Sequence, residues 1–258
     1  MKVTLLGTGT SNGVPMLGCQ CAVCRSEDTK DKRLRCVALV ETDTTRLLID
    51  CGPDIRQQLM PLPYKRIDGV LLTHIHYDHV AGIDDLRPYC KFGDIDLYAN
   101  ESTATGLRHN MPYCFTETLY PGVPRLNLHT IKPHAAFQVG DLQVLPLEVL
   151  HGQMPIMAYR LGKFAYITDM KSISEDNKAY LTGIQVLVVN ALRFDKSHHS
   201  HQLVKDAIAF SQSLGVKTTI LTHVNHDIGL HHEVQQNLPK GVYLGYDGIS
   251  FDVELEKE

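Results

Sequence analysis

The stretch from Leu71 to His79 carries the densest group of metal-binding side chains in the sequence. It reads Leu-Leu-Thr-His-Ile-His-Tyr-Asp-His, with three histidines and one aspartate within six residues. Imidazole and carboxylate are good ligands for zinc, manganese and iron, and this spacing can serve two ions side by side. A polar loop whose histidines only form hydrogen bonds is the alternative. Chance assembly of H-x-H-x-D-H after an apolar run is rare, so the pattern predicts metal binding by His74, His76, Asp78 and His79.

The backbone around this motif must hold its side chains in place. Residues 69–72 have the pattern of a short buried strand. In the extended backbone that follows, His74 and His76 point the same way. Asp78 lies where a helix can begin, and an acidic residue is favoured as a helix N-cap, which places His79 on the first helical turn.

Cys19, Cys21 and Cys24 form a second group with the spacing C-x-C-x-x-C. The chain has seven cysteines, an odd number that suits reduced thiols better than a disulfide framework. Thiolates bind zinc strongly, and a closed structural site needs a fourth ligand from elsewhere in the chain. Three free, buried cysteines are the alternative.

Further polar residues follow apolar runs along the chain, which predicts that they meet at one rim of the fold. Asp50, His151, Asp169 and His223 each stand at the end of a predicted strand. Ends of several strands that converge are the usual way to build a site on rigid elements. The predicted strands are 2–6, 36–41, 46–50, 69–72, 95–99, 125–131, 142–149, 158–161, 164–168, 185–190, 217–221 and 248–255, and the predicted helices are 53–60, 101–109, 173–181, 202–214 and 231–238.

These elements predict one α/β domain over residues 1–258, with two mixed sheets face to face and helices outside. Gly7 and Gly9 do not fit a nucleotide-binding pattern, and a glycine turn close to the metal site is the better interpretation. The charged stretch 25–35 has the composition of a solvated loop or helix. Residues 110–124 read as a surface loop that is either a substrate contact or a plain connector.

The bulk composition excludes several classes of protein. Hydrophobic residues make up 43% of the chain and charged residues 21%, as in ordinary globular proteins. The formal charge of −4 gives no broad attraction to nucleic acid or to an anionic membrane. No apolar run approaches the roughly 18 residues of a membrane span, and the N-terminus lacks a secretory core. With the odd cysteine count, this composition predicts a cytoplasmic protein.

The metal motif and the order of elements resemble the metallo-β-lactamase superfamily along the whole chain. The resemblance implies a four-layer αββα sandwich and a dinuclear centre of zinc, manganese or iron. A true β-lactamase is disfavoured, because those enzymes usually lack the full symmetric ligand set. The implied ligands are His74, His76 and His151 for one ion and Asp78, His79 and His223 for the other, with Asp169 bridging the two and Asp50 beneath them as an orienting residue.

A narrower resemblance rests on Gly-Thr-Gly-Thr-Ser-Asn-Gly-Val-Pro together with the three cysteines. This combination is similar to the cyclic phosphodiesterases of phosphonate breakdown, which are grouped with the tRNA 3′-processing endonucleases. The resemblance implies a structural zinc held by the three cysteines and His226. It also implies that His201 lies near the scissile phosphate, as a general acid or a phosphate contact. His198 and His199 are close enough in sequence to leave that assignment open.

The function implied by the resemblance is hydrolysis of a small phosphodiester, either linear or cyclic, by a hydroxide shared between the two ions. His201, Asp78 and Asp169 would be the catalytic residues. The alternatives are an RNA-processing endonuclease, a lactone or thioester hydrolase, and a non-catalytic metal-binding scaffold. The endonucleases carry a basic, glycine-rich arm that this sequence lacks, and a scaffold would be expected to lack ligands. The natural substrate and the oligomeric state stay open, with a homodimer as one candidate.

Overall fold

The computed structural model describes residues 1–116 and 121–255. Fourteen strands and seven α-helices occur within these residues, with four short 3₁₀ segments between them. The strands are β1 (Lys2–Gly7), β2 (Val37–Glu41), β3 (Arg46–Ile49), β4 (Gly69–Leu71), β5 (Ile95–Ala99), β6 (Leu126–Thr130), β7 (Phe137–Val139), β8 (Leu142–His151), β9 (Met154–Leu161), β10 (Phe164–Ile167), β11 (Val186–Asn190), β12 (Thr218–Thr222), β13 (Val242–Leu244) and β14 (Ser250–Asp252). The helices are α1 (Ala22–Arg25), α2 (Ile55–Leu59), α3 (Tyr77–Val80), α4 (Glu101–Asn110), α5 (Glu175–Ala179), α6 (Val204–Ser213) and α7 (His231–Asn237).

The strands form two sheets of seven. The order in the first sheet is β14-β1-β2-β3-β4-β5-β6, and in the second it is β13-β12-β11-β10-β9-β8-β7. Pairing in the first sheet is antiparallel from β14 to β3 and parallel from β3 to β6. In the second it is parallel from β10 to β13 and antiparallel from β7 to β10. Two mixed sheets flanked by helices confirm the predicted fold class.

The core is divided into layers by the alternation of side chains along each strand. Leu47 and Ile49 of β3 pack in the cluster that both sheets share, with Tyr159 and Tyr166 of the second sheet. Leu48 points to the opposite face, because successive residues of a strand alternate, and it joins the cluster beneath the outer helices of that sheet. A fully buried side chain of this size contributes about 1.5–3 kcal/mol, so this shared cluster holds the two sheets together.

The predicted elements are present, with ends shifted by up to four residues. Strands β7 and β13 and the 3₁₀ segment Ile83–Phe92 were not predicted. The predicted N-cap at Asp78 is wrong, because His76 is the N-cap of α3 and Asp78 lies in the first helical turn. This shift still places the Asp78 carboxylate at the positive end of the helix, where it is stabilised.

The charged stretch 25–35 is solvated only in part: Arg25 and residues 27–30 are exposed, as predicted, but two charged residues are buried. The side chains of Asp31 and Arg33 are 0% and 2% exposed. Asp31 accepts hydrogen bonds from the hydroxyl of Ser26 at 2.6 Å and the backbone N–H of His231 at 2.8 Å. Arg33 donates to Thr8 Oγ1 at 2.9 Å. Long-range partners therefore compensate two charges that the local sequence assigns to the surface.

The connector after α4 is only partly described. A 3₁₀ turn forms at Pro112–Cys114 within the stretch predicted as a loop. Residues 117–120 of that stretch lie outside the described residues, so its predicted role as a substrate contact stays a prediction. In the described residues, no helix combines the length and the apolar content that crossing a membrane requires.

Candidate metal centres

Four loops at one edge of the two sheets bring the predicted ligands together. The H-x-H-x-D-H motif follows β4, and His151 is the last residue of β8. Asp169 and His223 stand just beyond β10 and β12. Strands β8, β10 and β12 run in the same direction in the second sheet, with β9 and β11 between them, so their carboxyl ends share one rim. The end of β4 in the first sheet meets the same rim.

His74, His76 and His151 form the first cluster at this rim. One ligand atom of each lies within 4.8 Å of the others. The closest pair is His74 Nε2 and His76 Nδ1, at 3.0 Å. His74 is buried and His76 is exposed. The cluster therefore has one rigid, dry side and one side that faces solvent.

Asp78, His79, Asp169 and His223 form the second cluster, with ligand atoms again within 4.8 Å of one another. Asp78 Oδ2 lies 3.1 Å from His79 Nε2 and 3.4 Å from His223 Nε2. All four side chains are buried. Such a group of donors is costly to bury without a shared partner.

The carboxylate of Asp169 faces both clusters. Its Oδ2 lies 2.7 Å from His79 Nε2 and 3.7 Å from His74 Nε2. Its Oδ1 lies 3.0 Å from His223 Nε2. A carboxylate in this place contacts the donor atoms of each set at once, which is the position that a bridging ligand requires.

The donor atoms fit divalent cations better than they fit each other. His79 Nε2 and both oxygens of Asp169 are buried and close to polar neighbours, yet none is in a hydrogen bond of acceptable geometry. An unpaired buried polar atom costs about 1–3 kcal/mol, and more when it is charged. Imidazole with carboxylate is the donor set that zinc, manganese and iron accept. The clusters therefore have the chemistry of a metal centre.

An outer layer of hydrogen bonds fixes the orientation of the imidazoles. Asp50 Oδ2 accepts from His79 Nδ1 at 2.7 Å, and Asp50 Oδ1 accepts from the N–H of Thr73 at 2.8 Å. The Thr73 hydroxyl donates to Asp50 and lies 3.0 Å from His74 Nδ1. His151 Nδ1 donates to the carbonyl of Asp169 at 2.7 Å. Each of these rings therefore turns its other nitrogen towards the cluster.

Three residues of the site have backbone conformations that are rare outside glycine. The φ angles are 66° at Asp50, 55° at Asp169 and 52° at His223. Left-handed backbone costs a non-glycine residue of order 1–3 kcal/mol and collects at functional sites. The sequence pattern did not indicate these conformations, although aspartate tolerates them better than most residues.

The charges within the centre set opposite protonation states for its members. Burial alone would raise the pKa of Asp169, but His223 and His79 hold that pKa well below its usual range. Burial lowers the pKa of His74 well below its ordinary value. For His223 burial is outweighed by Asp169 and Asp78, which raise its pKa to about 9. Cation binding therefore has to displace a proton from His223.

His201 lies against the centre from the adjacent loop. Its Nδ1 is 3.1 Å from Asp169 Oδ1, without the geometry of a hydrogen bond. Its ring centroid is 4.8 Å from that of His151 and 5.0 Å from that of His223. Burial lowers the pKa of His201 to about 4. The imidazole is thus neutral near pH 7 in the ion-free centre.

The neighbouring histidines differ from His201 in their surroundings. The rings of His198 and His201 are tilted against each other with centroids 4.8 Å apart, and His199 is exposed and stacks on His198. Of the three, only His201 has a ring nitrogen grouped with those of His151 and the oxygen of Asp169. A cavity of about 260 Å³ opens beside His201, and it is lined by Thr10, Ser11, Asn12, Gly13, Met16, Leu192, Arg193, His198, Asn225 and His226.

The cysteines form a separate cluster near the surface. Nδ1 of His226 lies 3.5 Å from the sulfur of Cys19 and 3.4 Å from that of Cys21, and Cys24 completes the group. Three sulfurs and one imidazole suit tetrahedral zinc. His223 of the first centre and His226 of this one lie on a single turn after β12.

The thiols of this cluster have divergent acidities. Burial would raise the pKa of Cys21, but the N–H of Cys24 and the ring of His226 lower it to about 6. Burial raises the pKa of Cys24 to about 11. Cys21 is therefore a thiolate at neutral pH, whereas Cys24 keeps its proton, and the thiolate is the form that binds a metal.

The chain matches one protein family model and is similar in structure to several solved proteins. A family model described as the beta-lactamase superfamily domain matches residues 45–224. The crystal structure of a diphosphatase from the PhnP family superposes with a TM-score of 0.91 at 37% identity, over 98% of this chain and 97% of that one. Human tRNase Z, short form, gives a TM-score of 0.73 at 19% identity, over 99% of this chain and 100% of that one, which shows a shared fold.

One curated relative is similar in sequence but much longer. The octanoyltransferase of Porphyromonas gingivalis (strain ATCC BAA-308 / W83) is 44% identical over 250 residues, which cover 96% of this chain and 51% of the relative. The chain thus spans about half the length of that protein. Its name describes a larger molecule, and the matched half alone does not carry that activity over.

Proposed function

This chain belongs to the beta-lactamase superfamily, and we propose that it is a metal-dependent phosphodiesterase acting on a small phosphodiester. The observation that carries the proposal is the position of Asp169, whose carboxylate faces two adjacent sets of donor atoms. His201 lies against the same carboxylate. Hydrolysis of a phosphodiester by two metal ions needs two adjacent sets of donor atoms and a group beside them that can give a proton to the leaving group.

The residues would divide the work of binding the ions. His74, His76 and His151 would hold one, Asp78, His79 and His223 would hold the other, and Asp169 would contact both. When bound, two such ions lower the pKa of a water and offset negative charge on phosphoryl oxygens. Asp50 keeps the ring of His79 turned towards its ion through the bond at 2.7 Å.

His201 is the proposed proton donor to the leaving group. Its Nδ1 faces Asp169, which leaves Nε2 for the substrate. A phosphate anion that binds beside the ring favours the protonated form and so raises the pKa from its value of about 4. The imidazolium can then give its Nε2 proton to the departing oxygen.

The surroundings of His201 favour a small substrate. The adjacent cavity holds about 260 Å³, which is space for one modest substituent rather than for a folded RNA. Its lining includes Ser11, Asn12, Asn225 and Arg193, which offer hydrogen bonds to a polar group. The net charge of −4 also argues against a broad nucleic-acid surface. The likeness to tRNase Z extends to the fold alone.

The 37% identity to a diphosphatase of the PhnP family supports hydrolysis at a phosphorus atom. The relative named octanoyltransferase points instead to acyl chemistry, which the same donor set can support. A thioester therefore belongs in any test of the substrate class. The single domain over residues 1–258, the cytoplasmic location and the homodimer stay predictions.

The test is a substrate panel on protein reconstituted with zinc, manganese or iron. Hydrolysis of bis-p-nitrophenyl phosphate, an aliphatic lactone and an acyl thioester is measured after elemental analysis of each preparation. We expect turnover of the diester well above that of the other two, and loss of that turnover after chelation. Preference for the thioester or the lactone would overturn the proposal, and inactivity of a fully loaded protein towards all three would favour a scaffold.

A further inference from the structure

Lys171 contacts the loop that carries His201 but belongs to none of the predicted sets. It lies two residues beyond Asp169 and is half-buried. Its Nζ donates to the carbonyl of His198 at 2.8 Å and to the carbonyl of His201 at 3.1 Å. These carbonyls stand at the two ends of the turn formed by residues 198–201. One ammonium group therefore ties both ends of that turn together.

The turn has few other anchors. Within the residues that the structure describes, no backbone–backbone hydrogen bond involves residues 194–201. His151 Nδ1 lies 3.1 Å from the carbonyl of Ser200, but its one N–H is shared between this carbonyl and that of Asp169. A segment held by so few bonds opens easily unless side chains hold it closed. Lys171 supplies two of those few bonds.

The base of the Lys171 side chain is itself fixed. Its backbone N–H donates to the carbonyl of Leu150 at 2.7 Å, next to His151 at the end of β8. The preceding residue, Met170, is held through both its N–H and its carbonyl by the side chain of Asn190, at 2.9 and 3.0 Å. The ammonium group thus extends from a rigid segment to a weakly bonded one.

We propose that Lys171 is a positioning residue, which holds the turn so that the His201 imidazole stays against Asp169 and faces the substrate. Hydrogen bonds from a charged donor are about twice as strong as neutral ones, so two of them can fix a turn of four residues. The inference rests on the role of His201 in the proposed function. Its effect passes through His201, and Lys171 itself touches no reacting atom.

The first test is hydrogen–deuterium exchange of the metal-loaded protein, which needs no substrate. Lys171→Met should raise exchange at the amides of Ser200 and Gln202 by about tenfold, because these N–H groups donate to His198 Nδ1 and to the Met170 carbonyl and the turn that holds them loses two bonds. Lys171→Arg keeps donors for both carbonyls and should restore most of the protection. Lys178→Met is the matched control, since Lys178 pairs with Glu175 at 3.6 Å within α5. Unchanged exchange in Lys171→Met would overturn the proposal, whether or not the protein hydrolyses diesters.

The second test is kinetic. We expect Lys171→Met to lower kcat by about tenfold or more for a diester with an alkoxide leaving group. KM and metal content should stay unchanged. The loss should be smaller with p-nitrophenolate, which needs no proton to leave. Because Lys171 acts through His201, the double variant with His201→Ala should be no slower than His201→Ala alone.

Additive losses in the double variant would show that Lys171 acts independently and would overturn the proposal. A wild-type protein that hydrolyses no diester would instead remove the proposed function, and the exchange measurement would still decide whether Lys171 holds the turn.

Discussion

The two candidate metal centres are built in opposite ways. The centre of histidines and aspartates draws its donors from residues 74–223, and His74, His79, Asp169 and His223 are each only 1% exposed. The cysteine cluster takes three of its four donors from a stretch of six residues, and Cys19 and Cys21 are partly exposed. The first exists only once both sheets have formed, whereas the second is largely local.

This difference suggests separate roles: the buried centre depends on the finished fold, whereas a metal at the cysteine cluster would stabilise a local segment. Four protein donors around one ion leave no open position, which is the mark of a structural zinc site. The buried centre divides seven donors between two sets and keeps its half-open side towards solvent, where a substrate can enter. Variants that affect one centre and spare the other test this distinction.

Asp169→Ala should have the largest effect, because its carboxylate contacts both donor sets. We expect the buried centre to lose its ions and hydrolysis to fall by on the order of 10³-fold or more. Elemental analysis should still find one zinc in the cysteine cluster. Asp84→Ala, which removes a partly exposed carboxylate paired with Arg87, is the control. Full metal content in Asp169→Ala would contradict its proposed bridging position.

His201→Ala should separate catalysis from metal binding. We expect turnover of a diester with an alkoxide leaving group to fall by about 10²–10⁴-fold, because that leaving group loses its proton donor. The metal content of both centres should stay the same. His199→Ala is the matched control, since His199 is exposed and two residues away. An unchanged rate in His201→Ala would remove the proposed role of this residue.

Asp50→Asn should weaken the buried centre without emptying it. The variant replaces the carboxylate that accepts from His79 Nδ1 at 2.7 Å. Loss of such an outer partner lowers metal affinity by about 10–100-fold. Competition with a chelator measures this affinity, and the cysteine zinc serves as the internal reference. Equal weakening of both centres would mean that Asp50 acts through general stability.

Alkylation of the ion-free protein should show the smallest effect, a difference in reactivity between two thiols of the cysteine cluster. The thiolate reacts and the thiol does not, so the rate rises as pH passes the pKa. Cys21, with a pKa of about 6, should react with iodoacetamide at neutral pH, whereas Cys24, with a pKa of about 11, should not. Mass spectrometry locates the adduct. Zinc should protect Cys21, and equal labelling of both cysteines would contradict the assigned acidities.

The sequence was most informative where donors are neighbours in the chain. H-x-H-x-D-H and C-x-C-x-x-C are local patterns, and strand ends marked His151, Asp169 and His223 because apolar runs precede them. The fold class followed from the alternation of strands and helices. Short strands such as β7 and β13 escaped, because three residues give too little periodicity to recognise.

Features that depend on tertiary partners could not be predicted. Thr73 and Lys171 join the site through bonds to distant residues, and an isolated threonine or lysine carries no pattern. Arg33 was assigned to solvent because its partners come from other segments. The left-handed backbone at Asp169 leaves no mark in composition.

The turn after β12 places one donor in each centre, His223 and His226, with two residues between them. A shift of this short turn would move a donor of the buried centre and a donor of the cysteine cluster together. We therefore expect a substitution that distorts the turn to weaken both donor sets at once, which no change at Asp169, His201 or Asp50 alone should do.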